Sequence, residues 1–342
     1  TPDYAYFSST SSSWCLHAKK YVDKTIKKLS LNENNLVVEI ASNDGYLLQY
    51  IKEKNIPCFG IEPTHAVAES SREKGIKTIE KFFGSSLAID LRRENGIAEN
   101  GADLIIGNNV LAHVPDINDF LKGVFILLKN EGIASFEFPH LLKLLRGNQF
   151  DTIYHEHFSY FSLHSLMRIC NEAGLKVFDV EELETHGGSL RVWLTKNESK
   201  PVGESVEIIL LKEKKEGLET LKPYQELQFN AEKVKLDFLE FLVKSKKEGL
   251  RIFGYGAAAK GNTLMNYAGI NSDLLIAVAD KARSKQGKYL PGSHIPIISP
   301  EELFLSNPDA IIIFPWNLID ELKKEFSGYK IITLIPSFHL IN

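Results

Sequence analysis

The sequence VVEIASNDG, residues 37–45, decides the fold of this chain. It opens with a short, mostly apolar run of β-branched residues, which is typical of a strand buried in a parallel sheet. Small and turn-forming residues follow, and residues 46–54 then show a helical pattern. A buried strand, a tight turn and a helix make the first half of a βαβ unit, so we expect a doubly wound α/β sheet.

The same alternation of strands and helices continues along the chain and begins again near residue 250. Residues 174–196 indicate two further strands, which we expect to be antiparallel at the end of the first sheet. We therefore predict two Rossmann-like, doubly wound domains. The predicted boundaries are 1–200 for an N-terminal aromatic arm and the first α/β domain, 201–248 for a helical connector, and 249–342 for a smaller C-terminal α/β domain that binds substrate.

Composition limits the classes of function. The 342 residues carry a formal net charge of −4, which argues against a broad nucleic-acid-binding face. No apolar run reaches the length of a membrane span, and no signal-peptide pattern begins the chain. The three cysteines are far apart and form neither a disulfide framework nor a zinc cluster, so we expect a reducing cytoplasm. Nothing in the sequence indicates the oligomeric state.

The turn after the first strand resembles the acid-x-Gly-x-Gly-x-Gly turn that binds S-adenosylmethionine (SAM). Its positions are Glu39, Ala41, Asn43 and Gly45, with Ser42 between them, so two glycines are replaced. A further acid, Glu62, ends the next strand 23 residues after Glu39. An acid at that place binds the ribose hydroxyls of a nucleoside ligand. We prefer SAM to NAD because the turn lacks GxGxxG; the alternative is a purely structural βαβ unit with surface acids.

Four more residues are candidates for the cofactor cleft. Ligands of such sheets bind outside the carboxyl ends of the strands, which places Asn108 and Asn109 at the rim. Pro63 follows the acid of the second strand, and Phe83 is a candidate for a flat apolar wall against adenine. The two asparagines serve equally well as caps of the following turn.

The stretch QFDTIYHEHFSYFS, residues 149–162, has the composition of an acid–base site. Histidine and carboxyl groups among aromatic side chains can exchange protons near neutral pH. One alternative is a strand whose polar face meets solvent. Another is a metal site made by His155, His157 and His164, which spacing on a strand permits. We predict no metal, because no cysteine or carboxylate cluster completes such a site.

Several segments together resemble one family, the SAM-dependent C-methyltransferases that methylate carbon 3 of nucleotide-linked 4-keto-6-deoxysugars. The resemblance runs from about Tyr4 to the end of the chain, and two of its segments, residues 150–160 and 185–192, are specific to that family. The segments that carry it are EIASNDGYLL (39–48), GIEPT (60–64), GNNVLAHVPDINDF (107–120), EFPHLL (137–142), FDTIYHEHFSYFSL (150–163), ELETHGGSLRV (182–192), GYGAAAKGN (254–262) and KYLPGSHIPI (288–297).

The resemblance implies SAM as cofactor, S-adenosylhomocysteine as product, and a sugar substrate held between two Rossmann-like domains. It also implies that His157 is the general base. Tyr154, Glu156 and His113 are added as catalytic partners, Tyr154 and His113 as donors to an enolate oxygen; His155 is equally well structural. The family usually carries a cysteine-rich zinc-binding module before the methyltransferase domain. This sequence has none, so we expect either a longer natural chain or a member without the module.

Substrate-binding candidates come from three places. The aromatic arm offers two tyrosines, the THGGSLRV segment offers polar groups beside glycine turns, and the turn at residues 254–262 offers a lysine at a helix start, which suits the nucleotide diphosphate. Lys260 is equally well a solvent-facing lysine. Two other functions stay open, a sugar-nucleotide binding protein without turnover and an NAD-linked sugar-nucleotide dehydrogenase. The candidates are Tyr4, Tyr6, His186, Ser189, Arg191, Lys260 and Asn262.

Overall fold

A computed structural model of the chain describes residues 7–341, so the predicted substrate residues Tyr4 and Tyr6 lie outside the described part. The chain divides into two compact units. The first unit extends to His140 and resumes from Phe158 to Glu213. The second unit contains Leu141–His157 and everything from Lys214 onward. The division therefore does not follow chain order, and the boundaries predicted at residues 200 and 248 stay predictions.

The first unit is built on a seven-stranded sheet in the order β3-β2-β1-β4-β5-β7-β6. Strands β1 to β5 pair in parallel, whereas β7 is antiparallel to both β5 and β6. All four residues of β1 are buried, as expected for a central parallel strand. The strands are Val37–Ile40 (β1), Cys58–Ile61 (β2), Thr78–Ile79 (β3), Ala102–Asn108 (β4), Leu128–Pro139 (β5), Lys176–Leu183 (β6) and Ser189–Thr195 (β7).

Helices cover the sheet of the first unit, and their burial shows the apolar faces that the sequence pattern predicts. The first helix is capped by the Ser11 side chain, which accepts from the Trp14 N–H. The helices are Ser12–Leu29 (α1), Leu48–Lys52 (α2), His65–Glu73 (α3), Ser85–Arg92 (α4), Ile117–Leu127 (α5), Leu163–Glu172 (α7) and Glu204–Lys215 (α8), while Leu141–Arg146 (α6) belongs to the second unit.

The second unit has a six-stranded sheet in the order β10-β9-β8-β11-β12-β13, parallel except for β13. Its strands are Ile252–Tyr255 (β8), Val278–Ala279 (β9), Ile297–Ile298 (β10), Ala310–Ile313 (β11), Ile331–Thr333 (β12) and His339–Ile341 (β13). Its further helices are Lys222–Lys247 (α9), Ala259–Ala268 (α10), Pro300–Leu305 (α11) and Ile319–Glu325 (α12). The two sheets with flanking helices confirm the predicted fold class. No helix formed by residues 7–341 is both long and apolar enough to cross a membrane.

The buried carboxylate of Glu213 connects three elements of the first unit. Glu213 of α8 accepts from the backbone N–H groups of Leu163 and His164, at 2.5 and 3.0 Å, and so caps the start of α7. The same carboxylate lies 2.7 Å from Nε2 of the buried His140, just after β5. Free N–H groups at a helix start need acceptors when water is excluded, so Glu213 joins α7, α8 and the end of β5.

We expect Glu213→Ala to lower the free energy of unfolding by about 3–5 kcal/mol, because it leaves buried donors without an acceptor. Glu213→Gln keeps one acceptor oxygen and should cost about 1–3 kcal/mol. Urea denaturation followed by tryptophan fluorescence measures both. The exposed Glu207 of the same helix provides the control, since Glu207→Ala should change stability by less than about 0.5 kcal/mol. Equal effects at the two positions would contradict this role of Glu213.

Candidate active site

The backbone at the end of β1 has the conformation of a glycine-rich turn although two glycines are replaced. Ala41, Asn43 and Gly45 have φ angles of 55°, 50° and 76°. The left-handed region is unfavourable for alanine and tolerable for asparagine. Residues held in this region tend to mark ligand sites, where surrounding structure over-determines the backbone. The degenerate motif therefore keeps the local geometry that a complete motif would give.

The small residues of this turn are required by protein packing as well. A Cβ at Gly45 would lie 2.5 Å from Ile76 Cδ1, so any side chain there meets the end of the next βα unit. Ser42 is buried against β2, where a Cβ on Gly60 would lie 2.2 Å from the Ser42 hydroxyl. Packing within the protein therefore requires small residues here, in addition to any requirement for close approach of a ligand.

Three acids surround the turn. The Glu39 side chain is fully buried, and neither carboxyl oxygen has a hydrogen-bond partner among the described residues. Burial, and then the charges of Asp44 and Glu62, raise the pKa of Glu39 well above its usual value. Glu62 instead accepts from the N–H groups of Asn43 and Thr64, at 3.2 and 2.9 Å. These two bonds hold the Glu62 carboxylate in a fixed direction at the end of β2.

The end of β4 supplies the next part of the rim. Asn108 is buried beside the Tyr46 phenol, and Asn109 has a φ of 54° with its N–H 2.7 Å from the Glu137 carbonyl oxygen. The Asn109 side-chain oxygen is buried without a hydrogen-bond partner. His113 is exposed in the short 3-10 turn that follows. A role as turn caps alone does not explain why the Asn109 side-chain oxygen is buried without a hydrogen-bond partner among the described residues.

Two other predicted cofactor residues lie nearby with different surroundings. Pro63 is partly buried directly after Glu62. Phe83 packs edge-on against Phe120, with ring centroids 5.4 Å apart, at the margin of the apolar core. Phe83 therefore has a structural role whether or not it contacts adenine, and its role as an adenine wall stays a prediction.

The start of the described chain lies against the cofactor turn. The Ser8 N–H donates to the Asn43 side-chain oxygen at 2.8 Å, and the Ser9 hydroxyl donates to the Asp44 carboxylate. Lys74 adds a bond to the same carboxylate at 3.1 Å. Residues 8–10 thus form part of the wall of this site.

Taken together, the turn fits SAM. Glu62 offers an oriented carboxylate for ribose hydroxyls, and the unpaired Glu39 carboxyl lies at the turn itself. Buried acids without partners are destabilising unless a ligand or a proton compensates them. SAM carries positive charge on its sulfur and its amino group, so its charge is complementary to this turn.

A buried ion cluster, not predicted from the sequence, lies at the end of β5. Glu137 is fully buried and pairs with the Arg191 guanidinium of β7, while His17 Nε2 lies 2.9 Å from the same carboxylate. The Thr185 hydroxyl donates to the other oxygen at 2.8 Å. Burial alone would raise the pKa of Glu137, but His17, Arg191 and Thr185 together bring it below its usual value. Glu137 is therefore charged at neutral pH.

The cluster explains where the predicted substrate residues of the THGGSLRV segment lie. Arg191 is 3% exposed, with its guanidinium also stacked over the Tyr21 ring, so it is committed to internal partners. The buried Ser189 hydroxyl donates to the Thr185 carbonyl. His186 is exposed and its ring lies 5.0 Å from that of Trp14. Of the three, only His186 presents its side chain outward; a substrate role for each stays a prediction.

The segment that carries the predicted base belongs to the second unit up to His157. It begins with a 3-10 turn, Phe150–Thr152, and then has no regular structure through Tyr160, so the interpretation as a strand is wrong. His157 Nδ1 lies 2.9 Å from the Thr152 carbonyl oxygen. Its ring lies against that of Tyr154, with centroids 4.2 Å apart and the planes tilted by 31°, whereas His155 and Glu156 are exposed.

The 3-10 turn is tied to the second sheet. Asp151, 1% exposed, accepts from Trp316 Nε1–H at 2.7 Å. The Lys260 ammonium lies 4.2 Å from the centre of the Trp316 ring and 3.0 Å from Asn317 Oδ1. Burial raises the pKa of Asp151 to about 6, against the lowering effect of Lys260 and Trp316. Asn262 lies in the first turn of α10, two residues beyond Lys260.

The described residues 7–341 contain no group of three or more histidine, cysteine, aspartate or glutamate side chains placed to hold a metal ion.

Comparison with known proteins identifies the family. Residues 16–180 match a family described as a methyltransferase domain, and residues 184–336 match a C-methyltransferase C-terminal domain. The C-methyltransferase NovU of Streptomyces niveus is 34% identical over a 348-residue alignment, which covers 99% of this chain and 81% of NovU. This chain belongs to the C-methyltransferases. The methyltransferase therefore transfers a methyl group to carbon, and it uses SAM as its cofactor, which confirms those two predictions.

Solved methyltransferase structures match about half of this C-methyltransferase. A SAM-dependent methyltransferase from Aquifex aeolicus is 16% identical, with a TM-score of 0.37, and the match covers 50% of this chain and 87% of that one. A magnesium protoporphyrin IX methyltransferase from Synechocystis, solved with bound SAM, is 12% identical with a TM-score of 0.38, covering 52% and 79%.

Sequence reasoning missed several residues of the candidate sites in this methyltransferase. Glu137 had a signal, since a lone carboxylate inside the apolar run SFEFP requires a buried partner. Asp151 stood inside the segment chosen for acid–base chemistry, but nothing in the sequence indicates its bond to Trp316. His17 and Trp14 lie on a helix with no distinctive pattern, and only the fold brings them to Glu137 and His186.

We expect Glu62→Gln to weaken SAM binding about 10- to 100-fold, because the amide loses one acceptor for ribose and its NH₂ group meets a backbone N–H. Calorimetric titration with S-adenosylhomocysteine measures the effect without turnover. The exposed Glu69 of α3 is the control, and Glu69→Gln should bind as the parent does. Unchanged affinity in Glu62→Gln would remove Glu62 from the cofactor site.

The raised pKa of Asp151 predicts a pH-dependent contribution to stability. An aspartate titrates near ~3.9 when unfolded, so the folded state favours the neutral Asp151 carboxyl over the charged one. The part of the free energy of unfolding that comes from this preference is lost as the pH rises from about 4 to about 6. Asp151→Asn keeps an acceptor for Trp316 but has no charge. Its free energy of unfolding should therefore rise relative to the parent by up to about 3 kcal/mol between pH 4 and pH 7. Urea denaturation across this range measures it; an equal rise in the exposed-site control Asp273→Asn would contradict the assignment.

Proposed function

We propose that this C-methyltransferase acts on carbon 3 of a nucleotide-linked 4-keto-6-deoxysugar, with His157 as the general base. The family membership supports methyl transfer to carbon. The segments FDTIYHEHFSY and THGGSLRV support the sugar substrate through their resemblance to deoxysugar C-methyltransferases. A ketone at carbon 4 makes the proton on carbon 3 removable, because the resulting carbanion is delocalised as an enolate.

The observation that carries the proposal is the bond between His157 and Thr152. A carbonyl oxygen only accepts, so Nδ1 of His157 must carry the hydrogen in this 2.9 Å contact. In the neutral imidazole the other nitrogen, Nε2, then holds the lone pair. The backbone five residues earlier thus fixes the tautomer that a base requires. A positioned base contributes about 10²–10⁴-fold to the rate.

The proton balance of the reaction is simple. His157 Nε2 takes the proton from carbon 3, and the electron pair of the broken C–H bond moves into the enolate, with charge on the oxygen at carbon 4. SAM, when bound, supplies an electrophilic methyl group attached to a positively charged sulfur. The imidazolium of His157 afterwards returns its proton to solvent.

Two side chains of the same segment are proposed as partners of the base. Tyr154, whose ring contacts the His157 ring, is the proposed donor to the enolate oxygen, with His113 as the alternative donor. Glu156 is exposed beside them and suits a sugar hydroxyl. His155 is exposed as well, which makes it the natural control for His157.

The remaining proposals concern substrate binding and the cellular compartment. His186 on the first unit, and Lys260 and Asn262 on the second, are the proposed sugar-nucleotide residues with side chains near open surface or a helix start. Cys15, Cys58 and Cys170 are unpaired, which supports a cytoplasmic setting.

The test follows proton exchange at carbon 3 in deuterated buffer. His157→Ala should lose deuterium incorporation by at least about 100-fold, because no base of suitable pKa replaces it, while S-adenosylhomocysteine binds as before. The matched control His155→Ala should exchange within about threefold of the parent. Magnetic resonance of the sugar nucleotide reports the exchange, and conversion of SAM to S-adenosylhomocysteine reports turnover.

Retained exchange in His157→Ala would move the base to another residue. Absence of turnover in the parent with every 4-keto-6-deoxysugar nucleotide tested would instead refute the substrate class and leave the sugar-nucleotide binding function.

A further inference from the structure

The long helix α9, Lys222–Lys247, buries one of its faces. Ala231, Val234, Phe238 and Leu242 are buried on that face and belong to the apolar core of the second unit. Their spacing of three or four residues places them on one side of the helix, as expected for an amphipathic element that covers a sheet. The opposite side of α9 therefore faces away from this core.

Three large apolar side chains lie exposed along that opposite side. Phe229, Leu236 and Val243 are 68%, 63% and 40% exposed. Each follows the previous one by two helical turns, so the three form a straight apolar stripe over about 21 Å of the helix. Single exposed apolar residues are ordinary on a protein surface. A stripe that repeats with the heptad period is instead typical of a helix that pairs with another helix.

Charged residues follow the same period beside the apolar stripe. Glu226, Lys233, Glu240 and Lys247 recur every two helical turns, alternate in sign and are all exposed. They lie about 40–60° around the helix from the apolar stripe, at the margin of any helix that packs on it. Charges at this margin determine which partner a helix accepts and in which orientation.

The alternation of sign makes this face of α9 complementary to the same face of a second copy that runs in the opposite direction. When such a pair is centred on the apolar stripe, Lys233 faces Glu240 of the second copy, and Glu226 faces Lys247 of the second copy. Two-fold symmetry repeats each contact, so the pair has four contacts between opposite charges. The charges of this helix therefore indicate the occupant of its exposed face.

The same charges disfavour the other alignments of two such helices. A shift by one heptad in one direction places Lys233 against Lys233 of the second copy, and a shift in the other direction places Glu240 against Glu240. Like charges in these positions are unfavourable. In a parallel pair, only Glu240 among the four marginal charges meets an opposite charge, that of Lys235. The antiparallel alignment is thus the one that the pattern of charges selects.

We propose that this methyltransferase forms a two-fold symmetric dimer in which α9 pairs in antiparallel orientation with α9 of a second copy. Leu236 packs on Leu239 of the second copy at the centre, and the ion pairs lie at the margin. The two helices overlap over about 20 residues, or roughly 30 Å. This is a small interface, so we expect a dissociation constant of about 1–100 µM. The proposal uses no residue assigned to methyl transfer and is independent of the proposed function.

The experiment measures the mass of the full chain by sedimentation equilibrium at roughly 1–200 µM, which brackets the expected dissociation constant. The mass should rise with concentration from 38.5 kDa, that of one chain, towards twice this value. Leu236→Glu should weaken the association at least about tenfold, because it places a charge at the apolar centre of each helix pair. The matched control is Leu305→Glu at the end of α11, where the leucine is 81% exposed, and it should associate as the parent does.

A charge exchange tests the orientation of the two helices. Lys233→Glu and Glu240→Lys each replace two attractive contacts by two repulsive ones, so each variant alone should associate at least about tenfold more weakly than the parent. An equimolar mixture of the two variants should recover the association, because their heterodimer again has opposite charges at both contacts. Sedimentation velocity with a fluorescent label on one variant measures the heterodimer.

An unchanged urea unfolding transition shows that each variant is folded. A parent that keeps the mass of one chain up to about 200 µM would overturn the proposal and assign the apolar stripe to a different partner. Association that survives Leu236→Glu would place the interface elsewhere on the molecule. A mixture that fails to recover the association would refute the antiparallel pair. The dimer and the proposed methyl transfer are tested by separate measurements, so failure of either leaves the other standing.

Discussion

Repulsion among buried carboxyl groups at the end of β1 is the constraint on which the cofactor half of this methyltransferase depends. Glu39 has no hydrogen-bond partner in the part of the chain that the structure describes, and the charges of Asp44 and Glu62 act on it in addition to burial. Desolvation and like charges both favour the neutral acid or the arrival of a cation. The strained φ angles of Ala41 and Asn43 occur on the same turn. Backbone strain and an unpaired buried acid thus coincide at the turn that we predict to bind the positively charged cofactor, which is the pattern expected of a functional site.

The other buried acids of the first unit show that burial alone does not identify a ligand site. Glu137 has an arginine, a histidine and a hydroxyl as partners, and Glu213 has two backbone N–H groups and His140. Both carboxylates are satisfied by the protein, so both are explained by folding. Glu39 and the Oδ1 atom of Asp151 are buried to a similar degree and have no partner. Within one chain, unsatisfied oxygens therefore separate candidate ligand positions from structural ion pairs.

Most of the fold followed from the sequence because strands of a doubly wound sheet are short apolar runs with turn residues on both sides. That is why the strand Val37–Ile40 and the antiparallel strands at the end of the first sheet could be predicted. The cofactor roles assigned to Glu39 and Glu62 from their spacing stay predictions. The structure of residues 149–162, which contain the proposed base, was harder to predict. Its alternation of polar and apolar residues suggested a strand, but the structure has a 3-10 turn there, followed by residues without regular structure.

Long-range placement was not predictable from local pattern. Residues 141–157 interrupt the first unit in sequence and fold with the second, where Phe150 packs on Tyr267 and Asp151 binds Trp316. Periodicity describes how each element buries its own face, but it does not specify which sheet supplies the partner. The same limit applies to His17, which lies on an ordinary amphipathic helix and meets Glu137 only through the fold.

In the second unit, the orientation of the proposed base His157 depends on groups that lie outside the proposed reaction. The His157 tautomer is set by the Thr152 carbonyl, Thr152 follows Asp151, and Asp151 is held by Trp316 beside Lys260. Each contact restricts the next, so the orientation of the His157 ring depends on Trp316, which lies beyond the end of β11. An imidazole that rotates freely loses most of the advantage of proximity, because the lone pair of a base must point at the proton that it removes.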